Sequence, residues 1–125
     1  MKHNLGLVLA IFGCSLVAAA ADLTIHLPDA ASIERKTVLY SCDANGAKIG
    51  VPSDSFSVEY INGGGNSLVV VPISGKQIIF SNVISGSGAR YTAQRYTWWE
   101  AHGQVLLQAD ALPGNLQSTC VPKKK

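Results

Sequence analysis

The side chains best suited to chemistry are two serines and a histidine. Ser85 and Ser87 alternate with Gly86 and Gly88, and His102 follows later, directly before Gly103. A serine nucleophile needs an adjacent base that is itself oriented by an acid, so Ser87 or Ser85, His102 and a carboxylate would be the minimal hydrolytic set. Nothing around these serines resembles the strand–elbow–helix that presents such a nucleophile. Alternating Ser and Gly instead suit an exposed loop whose backbone lies close to another surface. Metal chemistry is equally poorly supplied. His26 and His102 are far apart and lack ligand-like spacing to Cys, Asp or Glu, whereas a zinc centre takes about four convergent ligands. The glycine-rich run Asn62-Gly63-Gly64-Gly65-Asn66 is no phosphate cradle, because no Gly-Lys-Ser/Thr follows it and Gly75-Lys76 continues into Gln77. No catalytic residue, metal ligand or cofactor is therefore assigned. The chemistry that remains is recognition, with hydroxyls on a loop and an imidazole at a turn.

Such groups need a stiff support, and the residues that follow Gly88 supply one. Arg90–Glu100 is rich in Tyr, Trp and Thr, which favour a pleated, half-buried strand. Trp98 and Trp99 are neighbours, so on a strand they face opposite sides, one into a core and one outward. Further strands are expected at Lys36–Ser41, Phe56–Ile61, Ser67–Val71, Gln77–Ile84, Gln104–Gln108 and Leu116–Val121. The run from Phe56 to Ile61 shows the clearest alternation, with Phe56, Val58 and Tyr60 on one face. Asp43–Gly46, Asn62–Asn66, Ile73–Lys76, His102-Gly103 and Pro113-Gly114 read as turns. Pro72 ends its strand or marks it as an edge. No window shows helical periodicity. Short strands with frequent turns predict an all-β, antiparallel sandwich or barrel.

The chain has 125 residues, enough for one domain. Lys2, the apolar run from Leu5 to Val17 and the small residues Ala18–Ala21 read as a signal peptide over residues 1–21, leaving a domain over 22–125 in the periplasm. Ile11-Phe12-Gly13-Cys14 weakly resembles a lipobox. Lipidation of Cys14 is the alternative, and would give a membrane-anchored lipoprotein. Cys42 and Cys120 remain after export, and an even count in an oxidising compartment predicts a disulfide between them. Ten Lys and Arg stand against eight Asp and Glu, but Lys2 is in the leader and Lys123–Lys125 end the chain. The body between them is near neutral and slightly acidic, which argues against nucleic acid and weakly favours a cationic partner.

Ser87-Gly88, Tyr91, Trp99 and Gly103, in that order, resemble the signature of the bacterial periplasmic and membrane-bound inhibitors of C-type lysozyme. Tyr40-Ser41-Cys42, Val58–Asn62 and Cys120 fit the same family, and the resemblance runs from about Val38 to Cys120. It implies an eight-stranded antiparallel β-barrel in which Cys42 and Cys120 tie an early strand to the last. It also implies a non-enzymatic function: loops enter the active-site cleft of a C-type lysozyme and protect bacterial peptidoglycan. By position, Ser87, Ser85, Gly88, Tyr91, His102 and Gly103 would be the lysozyme contacts, and Trp99 a scaffold. The chain departs from the family pattern once. Between Trp99 and Gly103 it has one residue more, and His102 stands where the family places a Lys. A lipocalin-like barrel holding a small apolar ligand or cell-envelope fragment is the alternative. A side-chain-filled barrel would favour the inhibitor, and a cavity of several hundred Å3 the ligand binder. Exposed strand edges would allow a homodimer.

Overall fold

A computed structural model describes residues 3, 6, 9–14, 20–110 and 114–124. About half of the expected leader, with Ala18 and Ala19 of its cleavage site, falls outside the described residues, as does Pro113 of the last expected turn. Eight strands follow in order: β1 Glu34–Cys42, β2 Phe56–Gly63, β3 Asn66–Ile73, β4 Lys76–Val83, β5 Ala89–Ala93, β6 Tyr96–Ala101, β7 Gln104–Ala109 and β8 Leu116–Pro122. Each pairs antiparallel with the next, and β8 returns to β1, so the sheet closes into a barrel rather than a sandwich. Two-residue hairpins make this meander possible. Gly64-Gly65, Ser74-Gly75 and His102-Gly103 all carry positive φ at both central positions, the hand that matches the twist of the flanking strands.

The alternation expected over β2 holds: Phe56, Val58 and Tyr60 turn inward, and Glu59 faces out against Arg35. Trp98 and Phe80 are fully buried, with Val58, Val69, Val71 and Leu107 around them. Eight strands leave an interior just wide enough for such side chains to fill it. Each large apolar side chain buried contributes about 1.5–3 kcal/mol, so this core is the main stabilising term. The middle of the barrel is therefore packed, and the clefts described below gather at one end.

Two expectations are corrected. The segment Asp43–Gly46 is not a plain turn: α1 spans Ala44–Ile49, with Asp43 as its N-cap. Six residues are too few to display a helical period, and this helix is held by tertiary contacts. Asp43 accepts hydrogen bonds from Asn45 N–H at 3.1 Å, Ser118 Oγ at 2.6 Å and Thr119 N–H at 3.0 Å, fixing α1 to β8. The Ser118 hydroxyl, with these backbone donors, holds the Asp43 carboxyl below its usual value. The second correction is that Arg90–Glu100 is two strands. Gln94 takes a positive φ of 51° and turns the chain between β5 and β6 without Gly or Pro to announce it.

The closing seam, like the β4–β5 ladder, has only three residue pairs. β1 pairs with β2 over Glu34–Tyr40, but with β8 only through Tyr40, Ser41 and Cys42. Cys42 and Cys120 face each other in that register and are disulfide-bonded. Pro72 lies where β3 has outrun β2, whose ladder ends at Val70, so its missing N–H removes no bond on that side. Closure pairs every strand on both sides. The free edges expected for a homodimer are thereby confined to short stretches where strands outrun their neighbours.

The two ends of the barrel differ. α1 and the residues after it cap one end, burying Ile49 and Val51. The other end carries the β2–β3 and β6–β7 hairpins and the β4–β5 loop.

Candidate functional site

The open end brings Ser87 and His102 together. Ser87 stands in the connection between β4 and β5, and His102 at the tip of the hairpin between β6 and β7. Both are exposed, and both line one shallow groove of about 230 Å3 whose floor is Trp99, Ala101 and Leu106. His102 has φ 55° and Gly103 φ 75°. Histidine is among the few non-glycine residues enriched in that region, so His102 can take the first position of this two-residue turn. The imidazole is left standing at the tip.

The serine loop is braced from behind. Trp99 Nε1–H donates to the Ser87 carbonyl at 2.9 Å, and the Ser85 hydroxyl donates to the same oxygen. These bonds hold the backbone and leave the Ser87 hydroxyl out of the brace. Gly88 completes the fit with φ 65°, and a Cβ there would lie 1.9 Å from the Glu100 carbonyl oxygen. The loop backbone thus lies directly against β6, which only a residue without a side chain permits. Ser85, expected beside Ser87 as a contact, is half-buried and spends its hydroxyl on the brace. Trp98 is the core tryptophan and Trp99 the outward scaffold, the division that their adjacency predicts.

Tyr91 is placed differently from the loop residues. It points into the barrel with 7% of its surface exposed, so it is a wall of the open end rather than part of the protruding loop. There it joins a cluster that the sequence reading missed. Tyr40 and Tyr60 hydroxyls lie 2.8 Å apart, Trp98 Nε1–H donates to Tyr60 at 3.1 Å, and both hydroxyls reach Oε1 of Glu100. Burial raises the Tyr60 phenol well above its ordinary value, and the Glu100 carboxylate adds to that. Burial likewise pushes Tyr40 up to about 12, and Tyr91 is raised by burial and by the charge of Glu100. All three phenols therefore stay protonated as donors throughout the physiological range. These residues come from four different strands and are separated by up to sixty positions, beyond the reach of any local sequence pattern.

The brace makes Trp99 a positioning residue. Trp99→Phe keeps an aromatic floor and deletes the N–H, a bond worth about 0.5–1.5 kcal/mol. The expected result is partner binding weakened about threefold to tenfold, with thermal unfolding shifted by no more than a few degrees. Binding unchanged within error would show that the Ser85 hydroxyl suffices as the brace.

Known proteins match this chain over most of its length. The family described as membrane-bound lysozyme-inhibitor of c-type lysozyme matches residues 40–112. A Pseudomonas aeruginosa protein named membrane-bound lysozyme inhibitor of C-type lysozyme is 40% identical over 121 residues, covering 88% of this chain and 88% of the relative. A Cupriavidus necator protein of the same name is 34% identical over 111 residues, covering 82% of this chain and 78% of the relative. The crystal structure of Pseudomonas aeruginosa MliC in complex with hen egg white lysozyme superposes with a TM-score of 0.65 at 34% identity, over 85% of this chain and 99% of that one.

Proposed function

This chain belongs to the family of membrane-bound inhibitors of C-type lysozyme, and we propose that it blocks the lysozyme active-site cleft with the two loops at the open end of its barrel. It is an inhibitor and not an enzyme, and its partner is a C-type lysozyme. The observation that carries the loop assignment is the groove shared by Ser87 and His102, one on a braced loop and one on a tight hairpin. Rigid loops lose little conformational entropy on docking, which is what a cleft-filling inhibitor needs.

The chemistry of the target fits those two side chains. Lysozyme cleaves its substrate with a pair of carboxyl groups, one kept protonated as general acid and one ionised. A carboxylate accepts a hydroxyl proton, and accepts a cationic N–H more strongly still. Ser87 supplies the first and protonated His102 the second. Gly103 and Gly88 set the backbone that aims them. Side chains fill the middle of the barrel, so a lipocalin-like ligand would be left only the open mouth, whose lining of Glu34, Arg35, Lys36 and Glu100 is ill suited to an apolar molecule.

His102 makes the inhibition pH-dependent in a way a lysine would not. A contact between imidazolium and a carboxylate favours the charged form, so its contribution is present at the acid side and fades as pH rises. The general acid of lysozyme titrates near about 6, which limits the gain below that value. His102→Ala should therefore weaken inhibition about tenfold near pH 6 and much less near pH 8, whereas Ser87→Ala should weaken it at both. Inhibition constants measured at the two pH values decide the point. Equal, negligible effects of His102→Ala at both would reduce His102 to a turn residue.

The assay for the function itself is bacteriolysis by C-type, G-type and I-type lysozymes with the purified protein added. Inhibition of the C-type enzyme is expected at about one-to-one stoichiometry, and no inhibition at micromolar protein would return the ligand-binding barrel.

The chain acts in the cell envelope, membrane-anchored or periplasmic, as the names of its relatives indicate. Cleavage after Ala21 to give a free periplasmic domain is the finer reading that the Ala18–Ala21 run supports. The relatives' membrane-bound description supports lipidation at Cys14 instead. The mass of the mature N-terminus distinguishes the two: Asp22 as first residue, or a diacylated Cys14.

A further inference from the structure

The open end holds a second cleft that loop insertion leaves unused. It is the barrel mouth, with a volume of about 590 Å3, and the tyrosine cluster forms its floor. Oε1 of Glu100 is occupied by the Tyr40 and Tyr60 hydroxyls. Oε2 of Glu100 and the Tyr91 hydroxyl make no hydrogen bond among the described residues, and both residues line the mouth. No buried side-chain polar atom among the described residues lacks a partner, so these two open onto the cleft rather than into the core. Tyr91 is nonetheless more than nine-tenths buried, which leaves its hydroxyl a narrow approach from outside.

The charge of the mouth selects what can fill it. Arg35 is spent on Glu59 at the outer face. That leaves Glu34 and Glu100 against Lys36, and Lys36 is exposed and forms no ion pair with Glu100 among the described residues. An anionic ligand would meet the Glu100 carboxylate, and an apolar one would strand it without a partner. A cation with N–H donors satisfies both free acceptors, and tyrosine rings around it add cation–π attraction. Glu100 also borders the adjoining cleft formed with Gly88, His102 and Gly103, so a protein seated on the two loops covers the mouth as well.

Resting on the inhibitor reading above, we propose that the barrel mouth is a second anchor for the lysozyme, receiving one of its basic side chains on Glu100 and Tyr91. Arginine fits better than lysine, because its planar guanidinium donates to two acceptors at once and stacks on an aromatic ring. Lys36 lines the rim of the mouth, and its charge opposes an incoming cation.

The test uses affinity for a C-type lysozyme together with an internal reporter, the Trp98 indole N–H bonded to Tyr60. Tyr91→Phe removes only a hydroxyl and should weaken binding about fivefold, and Glu100→Gln about tenfold, with Tyr91→Phe unfolding at the wild-type temperature. Lys36→Ala should tighten binding. Free arginine at millimolar concentration should shift the Trp98 indole resonance of the wild type and not that of Glu100→Gln. If Tyr91→Phe and Glu100→Gln both bind as the wild type while Ser87→Ala loses affinity, the mouth is not an anchor and the inhibitor reading stands. If a neutral chitin oligosaccharide shifts the Trp98 resonance and arginine does not, the mouth is a sugar site and the proposal fails. Absence of any inhibition by the wild type would remove both readings together.

Discussion

Gly88→Ala is expected to cost roughly a hundredfold in lysozyme inhibition. Two effects act at this position. The backbone has φ 65°, a conformation that costs an L-residue about 1–2 kcal/mol. The added Cβ would also lie 1.9 Å from the Glu100 carbonyl oxygen, and that oxygen belongs to a strand rather than to a yielding side chain. The loop must then lift away from β6 by more than an ångström, breaking the bond from Trp99 to the Ser87 carbonyl. Displacement of a reacting or recognition group by about 1 Å can cost about a hundredfold, so the functional loss exceeds the loss of stability. Gly86→Ala is the matching control. Its Cβ would meet nothing within 4 Å, and unfolding stability should stay within about 0.5 kcal/mol of wild type. Equal inhibition by Gly88→Ala and wild type would mean that the braced loop is not what enters the cleft.

The second large effect is on stability. Cys42→Ser should destabilise the domain by about 2–5 kcal/mol, lowering the unfolding midpoint by ten degrees or more for a domain of about 100 residues. The disulfide spans a sequence separation of 78 residues. In the chain-entropy view, a loop that long contributes about 4.5 kcal/mol by restricting the unfolded chain. Position adds to length here. The bond sits in the β1–β8 ladder, which has only three residue pairs, and loss of that seam turns a closed barrel into a sheet with two exposed edges. Aggregation on heating should therefore accompany the lower midpoint. Mass spectrometry of unreduced, alkylated protein checks the bond directly: two alkylated thiols at Cys42 and Cys120 would refute it.

What could be read from the sequence follows from what is local. Phe56, Val58 and Tyr60 alternate because each strand side chain sees only its own face, so the inward set was legible. The Trp98/Trp99 division follows from the same two-residue period. Turns with glycine at their tips were legible as well, since Gly65, Gly75 and Gly103 all adopt the positive φ that such turns need. Gln94 takes the same conformation with no such signal, and β5 and β6 therefore read as one strand. The six-residue α1 depends on Ser118 and Thr119, more than seventy positions away, to hold its cap. The site divides in the same way. Ser87 and His102 stood out through the family resemblance and the departure from it, and they remain the proposed contacts. The inward turn of Tyr91, the bracing role of Ser85 and the Tyr40–Tyr60–Glu100 cluster depend on how strands from around the barrel meet, which no single stretch encodes.

The most direct test of the account is competition for the lysozyme cleft itself. A fluorescent chitin oligosaccharide bound in the active site of a C-type lysozyme should be displaced by the wild-type protein at one-to-one stoichiometry. Ser87→Ala should displace it about tenfold less effectively. Inhibition of lysis with the oligosaccharide still bound would contradict the account, because it would place the inhibitor outside the cleft that residues 84–88 and 101–104 are proposed to fill.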